Sequence, residues 1–201
     1  MIKKSFLIII LIFSLSGCGV IKELTNLSRL QFKLANLESI KLGGININNK
    51  RSLKDFSSID VLKLSTSFVR GDLPLEFNLN VEVKNPNAEN NSSNRSDISL
   101  SSFPWRLFID GKEAVQGNIS SPVNIPSDRS LSNVNVSAKI DLVKFIKEKG
   151  YEGIINLALS LVQQKDSPTK IELFAKPVVK TPMGKINYPE EIKIVSMNYT
   201  K

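Results

Sequence analysis

The sequence predicts a mainly β fold, best accommodated by an antiparallel sandwich with inserted helices. The clearest sign is the stretch from Leu75 to Lys84. There Leu75, Phe77, Leu79, Val81 and Val83 alternate without a fault with Glu76, Asn78, Asn80, Glu82 and Lys84. Such alternation describes a strand with one buried and one wet face. Further short stretches alternate in the same way and are separated by Gly, Pro and Asn turn signals, as a sandwich requires. Two stretches switch instead to helical spacing, one before this strand and one well after it.

Taken in order, Leu30, Phe32 and Leu34 alternate with Arg29, Gln31 and Lys33, a strand signal. A second apolar stretch holds Ile40, Leu42, Ile45 and Ile47, with Gly43-Gly44 marking a bend or bulge. A helix is expected over 59–69. Ser58 would be its N-cap, Ile59, Leu62, Phe68 and Val69 cluster at helical spacing, and Gly71 stands at the C-cap.

The segment FPWRLFIDGKEAVQGNI reads as a hairpin, and parity selects its loop. Trp105, Leu107, Ile109, Val115 and Ile119 are all odd-numbered. A two-residue loop at Asp110-Gly111 would pair odd positions with even ones and split the apolar set. A three-residue loop, Ile109-Asp110-Gly111 with Gly111 left-handed, keeps the set together and places Trp105 opposite Val115. Val134, Val136, Ala138 and Ile140 form another half-buried strand. Asp141 can cap a helix carrying Leu142, Val143, Phe145 and Ile146 that stops near Gly150. A second helix follows, with Ile154, Ile155, Ala158, Leu161 and Val162 on one face. Strands resume at Ile171–Phe174, Pro177–Val179 and Ile192–Tyr199.

The N-terminal residues have the three parts of a secretory signal. Lys3 and Lys4 supply the positive flank, Phe6 to Phe13 the apolar run, and Leu15-Ser16-Gly17 a small-residue approach to Cys18. The apolar run is too short for a comfortable membrane-spanning helix. Leu15-Ser16-Gly17-Cys18 resembles a bacterial lipobox. That resemblance implies a signal peptide over 1–17, diacylglycerol on the Cys18 sulfur, and acylation of the new amino terminus. Each buried methylene contributes about 0.8 kcal/mol, so several chains hold a protein on a bilayer where one barely does. Residues 18–28 would form a lipidated tether and 29–201 the folded domain. An aspartate after the cysteine would resemble an inner-membrane retention signal, and an acidic cluster a surface-export tag. With Gly19 there and no such cluster, the resemblance implies the outer membrane, facing the periplasm. Without residues 1–17 the chain keeps 25 basic and 19 acidic side chains, a net of +6. That excess is dispersed, which suits contact with an anionic lipid surface or with envelope proteins and gives no sign of nucleic-acid binding.

The alternating strand ends on Asn85-Pro86-Asn87. Pro86 cannot continue a ladder and confines Asn85 to extended geometry, and Asn87 can start the turn into a polar loop. Local chemistry therefore accounts for the motif. A strand ending in Asn-Pro-Asn, then a polar loop, the LFIDGKEAVQG hairpin and the VNIPSDRSLSNVNVSAKI segment also resembles the late embryogenesis abundant type 2 family, or water stress and hypersensitive response domain. The likeness runs from about Leu75 to Leu142. Its landmarks fall on Asn85, Pro86, Asn87, Gly111, Gly117 and Pro126. It implies an immunoglobulin-like or fibronectin III-like β-sandwich, an association with desiccation and stress, and no catalytic residues. The helical stretches at 59–69 and 141–164 and the C-terminal part depart from the family's pattern.

Reactive groups are scarce. The chain has no histidine and one cysteine, the residue expected to be lipidated. The commonest general base and metal ligand is therefore missing. No serine sits in a nucleophile-elbow pattern, and the glycines form no phosphate-cradling loop. Glu190-Glu191 and the Asp55…Asp60 pair read as solvated charge rather than a glycosidase pair, and Trp105 as core rather than a sugar platform. The expectation is a non-enzymatic lipoprotein that needs no cofactor or metal. It would serve envelope maintenance or stress protection through surface contacts. The alternative is a periplasmic carrier or chaperone holding an apolar ligand or lipid between the sandwich and the helices at 142–162.

Overall fold

A computed structural model describes residues 30–85, 98–128, 130–163, 169–181 and 184–194. Within them the order is β1 (Gln31–Leu42), β2 (Ile45–Asn46), α1 (Ser58–Arg70), β3 (Pro74–Lys84), β4 (Ile98–Ser102), β5 (Trp105–Ile109), β6 (Lys112–Gly117), β7 (Val123–Ile125) and β8 (Ser132–Asp141). There follow α2 (Leu142–Phe145), α3 (Gly150–Gln163), β9 (Ile171–Ala175), β10 (Val178–Thr181), β11 (Gly184–Asn187) and β12 (Ile192–Ile194). The fold is mainly β. Its strands form three four-stranded antiparallel sheets, ordered β2-β1-β3-β8, β11-β10-β4-β7 and β12-β9-β5-β6.

The second and third sheets are linked by their own strands. β4 runs into β5 across Phe103-Pro104, and β9 runs into β10 across Lys176-Pro177. The two breaks lie side by side, and the Lys176 amide donates to the Pro104 carbonyl at 2.9 Å. A proline on each strand removes a ladder donor at the same level, so the paired strands change sheet together. The inward side chains of all three sheets share one core with α3. Phe32 of β1 stacks on Phe103 at 5.6 Å and meets Tyr188 edge-on at 6.3 Å, joining the first sheet to the other two.

Residues 31–42, read from sequence as parts of two apolar stretches, form a single strand. The buried set of β1 begins on even positions, Phe32 and Leu34, moves to Leu37, then returns to Ile40 and Leu42. Two irregularities in its pairing with β3, between Leu34 and Asn36 and between Glu38 and Lys41, absorb the changes of parity. At the second, Ser39 adopts φ +55° and the freed Ile40 amide donates to Asn48 Oδ1 at 3.0 Å. Such bulges let one strand keep its apolar residues inward despite an uneven pattern. The expected bend at Gly43-Gly44 is the β1–β2 turn, with both residues at positive φ.

β3 matches its expected pattern residue for residue, and β8 likewise. α1 spans Ser58–Arg70, with Gly71 closing it in left-handed geometry. Its N-cap is Ser57 rather than Ser58. The Ser57 hydroxyl accepts from the Asp60 amide while Asp60 accepts from the Ser57 amide, a reciprocal box that Ser58 cannot make with Val61.

The hairpin loop also differs from expectation. Ile109 pairs with Lys112, so the loop has two residues, Asp110 at φ +50° and Gly111 at φ +79°. The extra residue needed to keep parity sits instead in β6, where Leu107 faces Val115 and Phe108 faces Glu113. Trp105 consequently faces Gly117, not Val115. Asp141 caps α2 as expected, but the α-helix ends at Phe145, short of the expected stop near Gly150, and a 3-10 turn over Lys147–Lys149 leads into α3. β4, β7 and β11 add strands that the pattern did not reveal.

Candidate functional site

The outer side of the first sheet carries a continuous polar face. Pairing of β1, β3 and β8 lines its outward residues into rows: Lys33–Glu82–Asn133, Asn36–Asn80–Asn135, Glu38–Asn78–Ser137 and Lys41–Glu76–Lys139. Strand spacing of about 4.8 Å puts neighbours in a row within side-chain reach. Ser137 Oγ donates to Asn78 Oδ1 at 2.9 Å, Asn36 Nδ2 donates to Glu38 Oε1 at 2.8 Å, and Lys139 pairs with Glu76 at 2.9 Å. The hydrogen bond and charge of Glu76 hold the Lys139 ammonium above the usual lysine range. The Oδ1 atoms of Asn36 and Asn80 are shielded and accept no hydrogen bond from the described residues.

Beside the Ser39 bulge this face dips into a depression of about 280 Å³. Ser39, Lys41, Glu76, Asn78, Ser137 and Lys139 supply its polar lining, and Phe77 and Ala138 its floor. The chemistry on offer is hydrogen bonding and paired charge. Among the described residues no group of three or more His, Cys, Asp or Glu side chains could hold a metal ion.

The residues singled out from sequence do not converge on one site. Asn85 is completely buried directly after β3. Gly111 closes the β5–β6 turn, Gly117 ends β6 against Trp105, and half-buried Pro126 follows β7. Each serves a turn or a strand end. Cys18, Pro86 and Asn87 lie outside the described residues, as do the signal segment, the tether and the end of the last expected strand. Trp105 belongs to the core. Glu191 holds Arg106 at 3.0 Å, and that guanidinium keeps its carboxyl below the usual glutamate range.

The helices at 142–162 pack inward. Ile154, Ile155, Leu157, Ala158, Leu159 and Leu161 are buried in the common core. A depression of about 190 Å³ lies outside them, between the β5–β6 turn and α2.

Periodicity alone does not show a different surface. On α1 only Leu64 is buried, while Ile59, Leu62 and Val69 are 66%, 68% and 83% exposed. The apolar cluster expected at helical spacing therefore points mostly outward, and only half-buried Phe68 turns in to meet Tyr151 edge-on at 5.5 Å.

No family model matches the chain, and no curated protein matches it either. Among solved structures it is similar to a protein from Archaeoglobus fulgidus, at 13% identity and TM-score 0.36, over 82% of this chain and 94% of that one. A structural genomics target, SoR45, gives 11% identity and TM-score 0.39, covering 85% and 89%. AT1g01470 from Arabidopsis thaliana gives 15% identity and TM-score 0.37, covering 84% and 83%. All three TM-scores fall below 0.5, so no family or activity is assigned from them. Among the described residues the chain is mainly β, with three antiparallel sheets, and the outer face of the first is rich in asparagine.

Proposed function

We propose that this protein is a non-enzymatic bacterial lipoprotein, anchored through Cys18 to the periplasmic side of the outer membrane, that protects or maintains the envelope by surface contact. Its domain would be an immunoglobulin-like or fibronectin III-like sandwich of the late embryogenesis abundant type 2 kind. The observation that carries the reading is the outer face of β1, β3 and β8. Four rows of amide, hydroxyl and charged groups lie side by side there, three of them containing asparagine. A face of that kind exchanges hydrogen bonds with water at little cost. It can therefore lie against another hydrated surface as water is withdrawn.

The test has two arms. Radiolabelled palmitate should enter the wild-type protein and not a Cys18→Ser copy, and the latter should leave the membrane fraction. A strain lacking the gene should survive drying and osmotic shock less well than its parent. Restoring survival should need the exposed Asn133 and Asn135 of this face, so replacing both by leucine should fail to complement. Full complementation by that variant, present at normal levels, overturns the surface-contact reading. Unlabelled wild-type protein overturns the anchor.

A further inference from the structure

We propose that α1 is a second membrane contact, a face that docks onto an anionic lipid surface independently of any lipid on Cys18. At 100° per residue, Ile59, Leu62, Thr66 and Val69 fall on one outward stripe, and Lys63 and Arg70 fall along its edge. Leu64, at the opposite side, is buried and lies close to Gly43. Single exposed apolar side chains are ordinary on protein surfaces, but three adjacent ones on one helix face, rimmed by cations, are the signature of an interfacial helix.

Charge chooses the occupant. The acidic residue of α1, Asp60, is turned away from the stripe and engaged with Ser57 and, at 3.6 Å, with Lys50. The exposed flank has a cationic excess, with Lys63 and Arg70 on the helix and Arg51 and Lys54 in the segment before it, against exposed Asp72 and Asp55, the latter engaged by the Arg51 and Ser52 amides. Anionic headgroups complement that flank. A second copy of the chain does not, since a two-fold contact would set Lys63 and Arg70 against their equivalents, and three side chains bury too little for a stable dimer.

The tether permits contact with the anchoring bilayer. α1 sits at the Gly43 end of β1, which is about 36 Å from the Gln31 end at strand rise. The chain from Cys18 to Leu30 reaches about 40 Å when extended. A domain held at its N-terminus can thus lie down and bring α1 to the lipid.

Residues 18–201 with Cys18→Ser contain every core residue among those described. This unlipidated protein should co-sediment with vesicles of phosphatidylglycerol and phosphatidylcholine at least tenfold more strongly than with phosphatidylcholine alone. Raising the salt should weaken that binding. An environment-sensitive fluorophore on Thr66→Cys should shift to the blue on binding, and one on Asn135→Cys, on the polar sheet face, should not. Leu62→Ser with Val69→Ser, and separately Lys63→Glu with Arg70→Glu, should each cut binding at least tenfold while leaving the melting temperature within a few degrees. Three results would overturn the proposal. They are absence of vesicle binding, a shift at residue 135 without one at 66, and a residue-66 shift that follows protein concentration in the absence of lipid. None bears on acylation, because the protein tested carries no Cys18.

Discussion

Gly117 lies directly against the indole of Trp105. The two are cross-strand partners at the end of the β5–β6 hairpin, and a Cβ built on Gly117 would stand 2.6 Å from Trp105 Cζ2. Trp105 is part of the core, so the ring cannot retreat outward. Gly117→Ala should therefore cost about 1–3 kcal/mol, the range for overpacking a filled core. Trp105→Phe removes the atom that Ala would strike. In a double-mutant cycle by urea unfolding, the alanine penalty should largely vanish in the phenylalanine background. Additive losses would place the cost in the backbone and not in this contact.

Gly43 and Gly44 share a turn but differ in surroundings. Both have positive φ, at +55° and +78°. A Cβ on Gly43 would stand 3.1 Å from Leu64 Cδ2 and 3.2 Å from Leu73 Cδ1, whereas one on Gly44 meets nothing within 4 Å. Gly44→Ala should lose only the left-handed backbone preference, about 1 kcal/mol. Gly43→Ala should lose that and disturb the seat of α1. Thermal melts should rank it clearly below Gly44→Ala, with proteolysis opening first near α1.

How much of this was legible in the sequence follows parity. β3 and β8 carry unbroken alternation, so their buried faces could be read directly. β1 could not, because its apolar set changes parity twice, and only pairing with β3 shows that bulges reconcile the halves. In the hairpin the need for one extra residue was legible, but its position was not. It sits in β6 because Asp110-Gly111 already satisfies a two-residue turn with both φ values positive. The polar face was implied by the even positions of β3, yet the Asn36–Asn80–Asn135 row requires the cross-strand register. α1 was misleading in a different way. Its spacing identifies a helix, but periodicity does not say whether an apolar stripe meets a core or faces outward.

The Ser39 bulge rests on a borrowed acceptor. Asn48 Oδ1 takes the Ile40 amide that the irregular ladder leaves without a strand partner. Asn48→Ala should strand that amide and cost about 1–3 kcal/mol. Hydrogen exchange at Ile40 should quicken much more than at Leu37. Ser39→Gly should act in the opposite sense, raising stability by up to about 1 kcal/mol, because Ser39 already holds a φ of +55° that glycine adopts freely.

Acid should unfold the protein through carboxylates that the fold keeps ionised. At Asp141 burial alone would raise the pKa. The bond to Lys144, with the Leu73 and Lys144 amides, outweighs burial and holds the group below the usual aspartate range. Its Oδ1 accepts from Val143 at 3.2 Å and from Leu73 at 3.4 Å, so one carboxylate both caps α2 and ties it to the start of β3. Asp60, held down chiefly by the Ser57 amide, and Glu172, held down chiefly by Lys193, behave alike. A carboxyl with a lowered folded pKa contributes stability that is complete above its unfolded value, about 3.9 for Asp and 4.3 for Glu. That contribution drains as pH falls through the folded value. The melting temperature should accordingly be flat near neutrality and drop steeply below about pH 4. Asp141→Asn should melt below wild type at pH 7, since an amide can cap α2 but cannot pair with Lys144 at 2.8 Å. As pH falls below about 4 and through the folded pKa the two curves should converge, because wild type then progressively loses the charge the variant never had. A gap that stays constant across that window would assign the loss to packing, not to the ionised carboxylate.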